Sequence, residues 1–278
     1  MFFVITILII YVIRSNREDK MKCFIVLPCY NEENNVKPLV SAVDLALRQH
    51  ILYQIIAVND GSTDHTGEAL RRLSQKYPLR LLEHQTNKGL AAALKTGLNE
   101  AIRCSSFDDF IVTMDSDNTH EPRQIRDLMS AAREADIVVG SRYVTNGKQF
   151  GVPLYRMMAS KATNFIFRRI LRLPINDVTS GYRCFKASVL KRLNEISKHD
   201  FIESDGFEVS LEILAKVFWC NATLKEVPIT LDYYKKKGKS KMKMLPTVKR
   251  YLILLTKIKA WSNRFKKHTR SFQASQEE

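Results

Sequence analysis

From residue 22 to about residue 140, short β-rich runs alternate with amphipathic helical stretches, and this alternation limits the available folds more than any other feature of the chain. A strand–helix repeat of this kind builds a mainly parallel sheet with right-handed crossovers and helices on both faces. The periodicity predicts strands over 23–27, 54–58, 79–83, 110–114 and 137–140, and helices over 33–49, 64–76, 90–103 and 122–133. After Gly140 the pattern loosens into a helix over 157–171, a polar, turn-rich stretch over 176–186, a helix over 207–218 and a strand pair within 224–233. No Pro/Gly/Ser linker or internal repeat divides the body. The expectation is an α/β fold with a Rossmann-like sheet, in one domain over 21–244, followed by a basic appendage over 245–278.

Net charge is +15, which would suit a nucleic-acid-binding α/β protein if it were spread over the fold. It is not: fourteen Lys or Arg and no Asp or Glu fall between 235 and 270, so the remainder is almost neutral. Such a tail is an attachment device for an anionic surface or polymer, and localisation of the charge there, away from the fold, disfavours a nucleic-acid-binding protein. The five cysteines are scattered, with no zinc-like spacing, and read as reduced thiols. Phe2 to Ile13 is an apolar run of twelve residues, short of the roughly twenty that span a bilayer. It also lacks the basic start and cleavage site of a signal peptide. Residues 1–20 are thus an interfacial anchor, a flexible extension, or residues upstream of the natural start; Met21-Lys22 leading directly into the first strand favours the last.

Four polar clusters each follow an expected strand and so fall on one edge of the sheet. They are Pro28-Cys29-Tyr30-Asn31-Glu32-Glu33, Asn59-Asp60-Gly61-Ser62-Thr63-Asp64, Asn87-Lys88-Gly89 and Asp115-Ser116-Asp117. Convergence at strand carboxyl ends is what a nucleotide-binding crevice requires. In an extended chain Asp115 and Asp117 point the same way, and two such carboxylates repel unless a cation or proton lies between them. A hard divalent ion bridging to phosphate oxygens answers that need. A capping loop for the next helix is the plainer alternative for each cluster alone.

Taken in order, Val26-Leu27-Pro28-Cys29-Tyr30-Asn31-Glu32, Asn59-Asp60-Gly61-Ser62-Thr63-Asp64 and Asp115-Ser116-Asp117 resemble a family 2 glycosyltransferase of the GT-A fold. Val139-Gly140-Ser141-Arg142, Asp177-Val178-Thr179-Ser180-Gly181-Tyr182-Arg183, Glu226-Val227-Pro228-Ile229 and Gly238-Lys239-Ser240-Lys241 narrow the likeness to polyprenyl-phosphate and dolichyl-phosphate mannosyl- and glucosyltransferases. The resemblance runs from residue 22 to about 244. It implies that Pro28, Tyr30, Glu32 and Asp60 hold the base and ribose of a nucleotide-diphosphate sugar, with Asn87 and Lys88 beside them. It implies that Asp115 and Asp117 place Mg2+ or Mn2+ on the diphosphate. Relatives often carry a Gln two residues beyond the second Asp as a further metal contact; here the position is Thr119, a shorter ligand.

A phosphate monoester acceptor, with a second pKa near ~6, is largely dianionic at neutral pH and needs no base to act as nucleophile. Its site needs cations to hold two anionic substrates together. The spacing of Arg142, Arg156 and Ser160 is similar to that which grips the lipid phosphate in the polyprenyl-phosphate enzymes, and Arg forks suit phosphate. Arg183 is expected as a wall of that site, oriented by Asp177. Asp117, Arg142 and Arg156 are the candidate catalytic residues. His65 and His84 read as helix-start or surface residues, His120 as at most a minor contact, and Glu208 as either structural or near the acceptor. The expected activity is inverting transfer of a hexose from GDP-mannose or UDP-glucose to a polyprenyl or dolichyl phosphate, at the cytoplasmic face of a membrane. A glycan hydroxyl acceptor is the alternative, but it would need a carboxylate base where this chain has Arg142, Arg156 and Ser160. A dinucleotide oxidoreductase is disfavoured because the first turn lacks GxGxxG. An inactive binding subunit is disfavoured because both aspartates are present.

The tail from Leu245 is expected as an amphipathic helix. Val248, Tyr251, Leu252, Leu255, Ile258 and Phe265 form its apolar side and Lys249, Arg250, Lys257, Arg264 and Lys267 the other, so that it lies on an anionic membrane surface. The preceding Lys-rich loop, 235–241, resembles a flexible active-site loop of the family, with Lys where an Arg is often found.

Overall fold

The computed structural model describes residues 21–238, 241–242 and 244–277; the apolar extension of residues 1–20 lies outside them. In chain order the elements are β1 (Lys22–Cys29), α1 (Val36–Leu47), β2 (Leu52–Asp60), α2 (Thr66–Ser74), β3 (Leu79–His84), α3 (Leu90–Cys104) and β4 (Phe110–Thr113). A 3-10 turn at Pro122–Gln124 leads into α4 (Ile125–Ala131), then β5 (Ile137–Ser141), β6 (Lys148–Phe150) and α5 (Leu154–Leu171). The chain closes with β7 (Arg183–Lys186), α6 (Ala187–Ile196), α7 (Val209–Trp219), β8 (Leu224–Pro228), β9 (Thr230–Asp232) and α8 (Met244–Glu277).

Seven strands form one sheet in the order β3-β2-β1-β4-β7-β5-β8. Only β7 runs antiparallel to its neighbours β4 and β5. Along β1 the side chains alternate between two cores. Phe24 and Val26 enter the cluster under α3, α6 and α7, whereas Cys23, Ile25, Leu27 and Cys29 enter the cluster under α1, α2 and α4. A strand buried on both faces reads as a continuous apolar run, which is why β1 and β4 were visible in the sequence. Gly97 lets α3 lie close on this sheet, since a Cβ there would come within 2.5 Å of Val26.

The order reverses at β1, which has β2 on one side and β4 on the other. Such a switch point opens a crevice at the strand carboxyl ends. The crevice sets Pro28, Asp60 and Asp115 at neighbouring strand ends.

The expected strand pair within 224–233 is not a hairpin. β8 joins β5 in the main sheet, while β9 pairs with β6 in a separate two-stranded ribbon. The polar stretch 176–186 contains β7 in the middle of the sheet. Arg183 was expected as a wall of the acceptor site and is instead buried there, its guanidinium donating to the carbonyls of Ser210 and Val178 (2.9 Å to the latter). The reason is register: Arg183 pairs with Thr113 in the centre of the sheet, so the side chain is spent holding α7 and the 178 loop.

The C-terminal helix is also placed differently from expectation. Leu254, Trp261 and Phe265 are buried against the body, with Tyr251, Leu255 and Ile258 packed beside them. Spacings of three and four residues give a seam that prefers a protein partner to water. Leu245, Val248, Leu252 and Ile253 stay exposed.

Candidate active site

The crevice holds a cavity of about 660 Å³, and every site residue expected from the sequence except Arg183 lines it. Pro28, Tyr30, Glu32, Asp60, Asn87 and Lys88 lie at one end; Arg142, Arg156 and Ser160 lie across from them, with Asp115 and Asp117 between strand ends. Two asparagines in left-handed conformation, Asn31 (φ 52°) and Asn118 (φ 65°), turn the chain sharply just after β1 and just after the aspartates. Asn is one of the few non-glycine residues that tolerates this region.

Ser116, between the aspartates, donates to Pro28 O (2.8 Å) and lies 3.2 Å from Cys29 Sγ, tying the β4 end to the β1 end. Thr119 does not offer its hydroxyl proton to the cavity. It donates to Asp117 Oδ1 (2.7 Å), as does its backbone N–H (3.2 Å), so it orients the carboxylate from behind. Lys236, from the Lys-rich loop, places its ammonium 2.5 Å from the other oxygen of Asp117. A second lysine of that loop, Lys241, donates to Glu32 and to Asn31 O (2.8 Å).

Burial raises the pKa of Asp115; His120 opposes and the Asp117 charge adds to the rise, leaving it above the ordinary carboxylate range. Burial pushes Asp117 up too, but the Lys236 ammonium and the Thr119 hydrogen bond outweigh it and hold the carboxyl low. Burial likewise raises Glu32. His120 is buried against Tyr182, with ring centroids 4.8 Å apart, and burial keeps its imidazole below its usual pKa despite two nearby carboxylates.

Asp60 is more heavily engaged than the sequence suggested. Its carboxylate accepts the backbone N–H groups of Lys88 (3.0 Å) and Gly89 (2.8 Å) and lies 2.7 Å from His84 Nδ1. His84 Nε2 is in turn 2.9 Å from Thr96 Oγ1. His84 therefore has a structural role at the site that a surface reading missed. The available signal was strand register: Asp60 and His84 are partners at the ends of β2 and β3. Gly61 (φ +62°) lets the chain leaving β2 pass close to the chain leaving β3, since a Cβ there would strike the Thr86 backbone at 2.3 Å.

On the opposite wall Arg142 grips the fully buried Asp177 with two bonds, Nε to Oδ2 and Nη2 to Oδ1, both 2.8 Å. Its Nη2 also reaches Thr179 Oγ1 (2.9 Å) and Ser160 Oγ (3.3 Å). Asp177 is held by Glu226, which accepts the backbone N–H groups of Asn176 and Asp177, each at 2.8 Å. Burial acts against the Arg142 charge, but Asp177 prevails and raises its pKa. Burial would raise Asp177, and Arg142 brings it below the ordinary value. Arg156 donates to Tyr233 OH (3.0 Å) and Tyr155 OH (3.2 Å). Glu208, just before α7, accepts from the backbone of Asp205 and Gly206 (3.2 and 3.1 Å) and so holds the preceding loop, which is its structural reading.

Chemically, the cavity sets a pair of acidic oxygens beside lysines at one end and a preorganised cation cluster at the other. No group of three or more His, Cys, Asp or Glu side chains among the described residues closes round an ion. Any cation at Asp115 and Asp117 would need ligands from a bound molecule. The Lys236 ammonium on Asp117 shows that the carboxylate accepts a positive charge there.

The chain is similar to several known proteins. The chain is 36% identical to a dolichol-phosphate mannosyltransferase of Pyrococcus furiosus over 87% of its own length and 64% of that protein's, so it spans less than two thirds of this relative. It is 31% identical to an undecaprenyl-phosphate mannosyltransferase of Micrococcus luteus, covering 80% of this chain and 88% of the relative. Among solved structures, glucosyl-3-phosphoglycerate synthase of Mycobacterium tuberculosis, crystallised with Mn2+ and UDP-glucose, superposes with a TM-score of 0.61 at 14% identity. The match covers 89% of this chain and 83% of that one, and shows the GT-A fold. The glycosyl transferase family 2 model matches residues 24–193, more than half of the chain, and the chain belongs to that family.

Proposed function

We propose that this glycosyltransferase moves a hexose, with inversion, from GDP-mannose or UDP-glucose to a polyprenyl or dolichyl phosphate. The observation that carries the reading is one cavity lined both by Asp115 and Asp117 and by Arg142, Arg156 and Ser160. The names of the mannosyltransferase relatives support a prenyl-phosphate acceptor.

In this reading Pro28 and Tyr30 form an apolar wall for the base, and Glu32 and Asp60 accept from ribose or base. The backbone N–H groups that Asp60 orders shape the Asn87-Lys88 loop beside them. Asp115 and Asp117 fit a hard divalent cation, Mg2+ or Mn2+, with oxygen ligands, and Thr119 holds Asp117 in place. When bound, that ion supplies charge stabilisation of the departing nucleotide diphosphate. Lys236 and Lys241 then turn from the carboxylates to the diphosphate, and their loop excludes water. Arg142, fixed by Asp177, and Arg156 hold the acceptor phosphate with Ser160 for in-line attack on the anomeric carbon. The phosphate oxygen arrives already ionised, so no side chain removes a proton in that step. The glycan-hydroxyl alternative has no such support on the acceptor wall.

We place residues 21–244 as the catalytic domain. No helix among the described residues is long and apolar enough to cross a membrane. Contact with the lipid surface is assigned to the exposed apolar side chains of α5 (Leu154, Met158, Phe165, Ile166, Ile170) together with Leu245, Val248 and Leu252 of α8. The cytoplasmic face is assigned because nucleotide sugars are supplied there.

The test is incubation of the full chain with labelled GDP-mannose or UDP-glucose, a short polyprenyl phosphate and Mn2+, then lipid extraction. Label should enter lipid, and Arg156→Ala should weaken use of the lipid more than binding of the donor. Transfer to a glycan hydroxyl alone, or equal loss of both substrates in the variant, would defeat the reading.

A further inference from the structure

A second groove, of about 610 Å³, lies on the flank of α5 and shares no lining residue with the reaction cavity. Lys161, Arg168, Arg169 and Arg172 stand round it. The spacing of seven and eight residues from Lys161 brings Arg168 and Arg169 to its side of the helix, and Arg172 follows at the left-handed C-cap. Tyr143 separates this groove from the acceptor wall, its hydroxyl donating to Ser160 Oγ at 3.0 Å.

Several other surface cations are neutralised by carboxylates. Arg71 pairs with Glu83, Arg72 with Glu68, Arg80 with Glu100 and Lys225 with Glu134. Among the described residues, none of the four groove cations is in an ion pair. Arg168 donates instead to the neutral Asn176 Oδ1 (2.6 Å), and the Arg169 guanidinium lies 5.2 Å from the Phe165 ring centroid. The helix dipole favours basic residues in a last turn. It covers Arg168, Arg169 and Arg172, but Lys161 lies about three turns back from the helix end.

The neighbours of these cations decide what kind of anion fits. Phe165, Ile166 and Ile170 are 62%, 45% and 49% exposed along the border of the basic edge. A soluble phosphate would leave that apolar strip in water. A phospholipid satisfies both halves at once, its phosphate among the cations and its acyl chains against the strip. We propose that this groove is a binding site for the phosphate-bearing headgroup of an anionic membrane phospholipid, distinct from the acceptor. The proposal rests on the membrane-surface reading above and adds to it a defined headgroup site, where diffuse attraction by the basic C-terminal helix would otherwise suffice.

The experiment compares sedimentation of the full chain with vesicles of phosphatidylcholine alone and of phosphatidylcholine mixed with phosphatidylglycerol. The variants are the double K161Q/R172Q in the groove and a control of equal charge change, K249Q/K259Q, on exposed positions of α8. One cation near an anionic surface contributes roughly fivefold in partitioning. Diffuse attraction alone would thus cost either double up to about twenty-five-fold on phosphatidylglycerol vesicles; the groove double should lose clearly more than the control, with phosphatidylcholine binding, melting temperature and transfer to a short soluble acceptor unchanged. Equal losses in the two doubles, or no loss in the groove double, would overturn the site while leaving the membrane reading intact. Failure of the unsubstituted chain to bind any vesicle would remove the membrane reading itself and this site with it. A further arm titrates glycerol phosphate against the vesicle-free protein. Saturable binding abolished by K161Q/R172Q, without any difference on vesicles, would assign the groove to a free phosphate and refute the lipid.

Discussion

Replacing Lys236 with Met should make the protein bind Mn2+ more tightly while making it a poorer enzyme. Lys236 and Asp117 are 9% and 12% exposed in their side chains and 2.5 Å apart, so the contact is a charge-assisted hydrogen bond largely shielded from water. Such bonds contribute about 1.5–3 kcal/mol net, and a metal ion arriving at Asp117 without donor must displace this one. The ammonium regains water on release, so the lower figure applies, and Lys236→Met should raise Mn2+ affinity about tenfold. Electron paramagnetic resonance of free Mn2+, with no nucleotide present, measures this directly. With GDP or UDP added the sign should invert, because the same lysine is then assigned to the diphosphate, and nucleotide affinity in Mn2+ should fall. There is also a pH signature. Lys236 is the main influence holding Asp117 below the ordinary carboxylate range against burial, so its removal lets that pKa rise. Mn2+ binding by the variant should then fade at a higher pH than in the unsubstituted protein. Unchanged or weaker Mn2+ binding by Lys236→Met in the absence of nucleotide would refute the idea that the lysine stands in for the cation.

Asp117→Ala, or EDTA, should abolish lipid labelling with the fold intact by circular dichroism; full turnover in either would contradict the metal assignment. Asp177→Asn removes the charge under Arg142 and leaves it buried, so stability should fall by roughly 3–5 kcal/mol in urea titration, with acceptor use lost before donor binding. His84→Ala should loosen the Lys88–Gly89 backbone through Asp60, raising the donor KM several-fold with a smaller change in kcat, whereas an equal fall in both parameters for a soluble acceptor would count against a positioning role. Burial acts upward on Glu203, but Lys216, Trp261 and Arg264 bring it to about 2 from an ordinary 4.5. The folded pKa is depressed, so its stabilisation is complete above pH 4.5 and disappears as pH falls towards 2; Trp261 fluorescence should report the release of α8 over that interval.

Much of the cavity wall around Pro28, Asp60 and Asp115 was legible because its residues come directly after strands that are buried on both faces. Runs such as Phe110 to Met114 announce themselves, and the residues at their carboxyl ends must lie at the sheet edge where ligands bind. The wall around Arg142 was only partly legible. Arg142 comes directly after β5 and was placed correctly in the cavity, but the support behind it was not: the Glu226 carboxylate that holds Asp177 comes from β8, 49 residues away along the chain. Arg183 was misplaced because the polar, turn-rich residues just before it mask a strand of only four residues, Arg183-Cys184-Phe185-Lys186, which lies in the centre of the sheet. The α8 seam was misread for a related reason. An amphipathic period says that one face leaves water, not whether lipid or protein receives it.

The fastening of α8 has a practical consequence. Glu203 accepts from Trp261 Nε1 (2.9 Å) and pairs with Arg264, while Lys216, fully enclosed beneath Trp261, joins Glu203 and Glu212 at 2.9 and 2.5 Å. Asp205 and Gly206, two and three positions further along the chain, line the reaction cavity. Trimming the carboxyl-terminal segment before Trp261 to simplify purification would uncover the Lys216–Glu212 pair, take two partners from Glu203 and slacken one rim of the cavity. A shortened protein of that kind would report the damage of its own cut, not the requirements of the reaction.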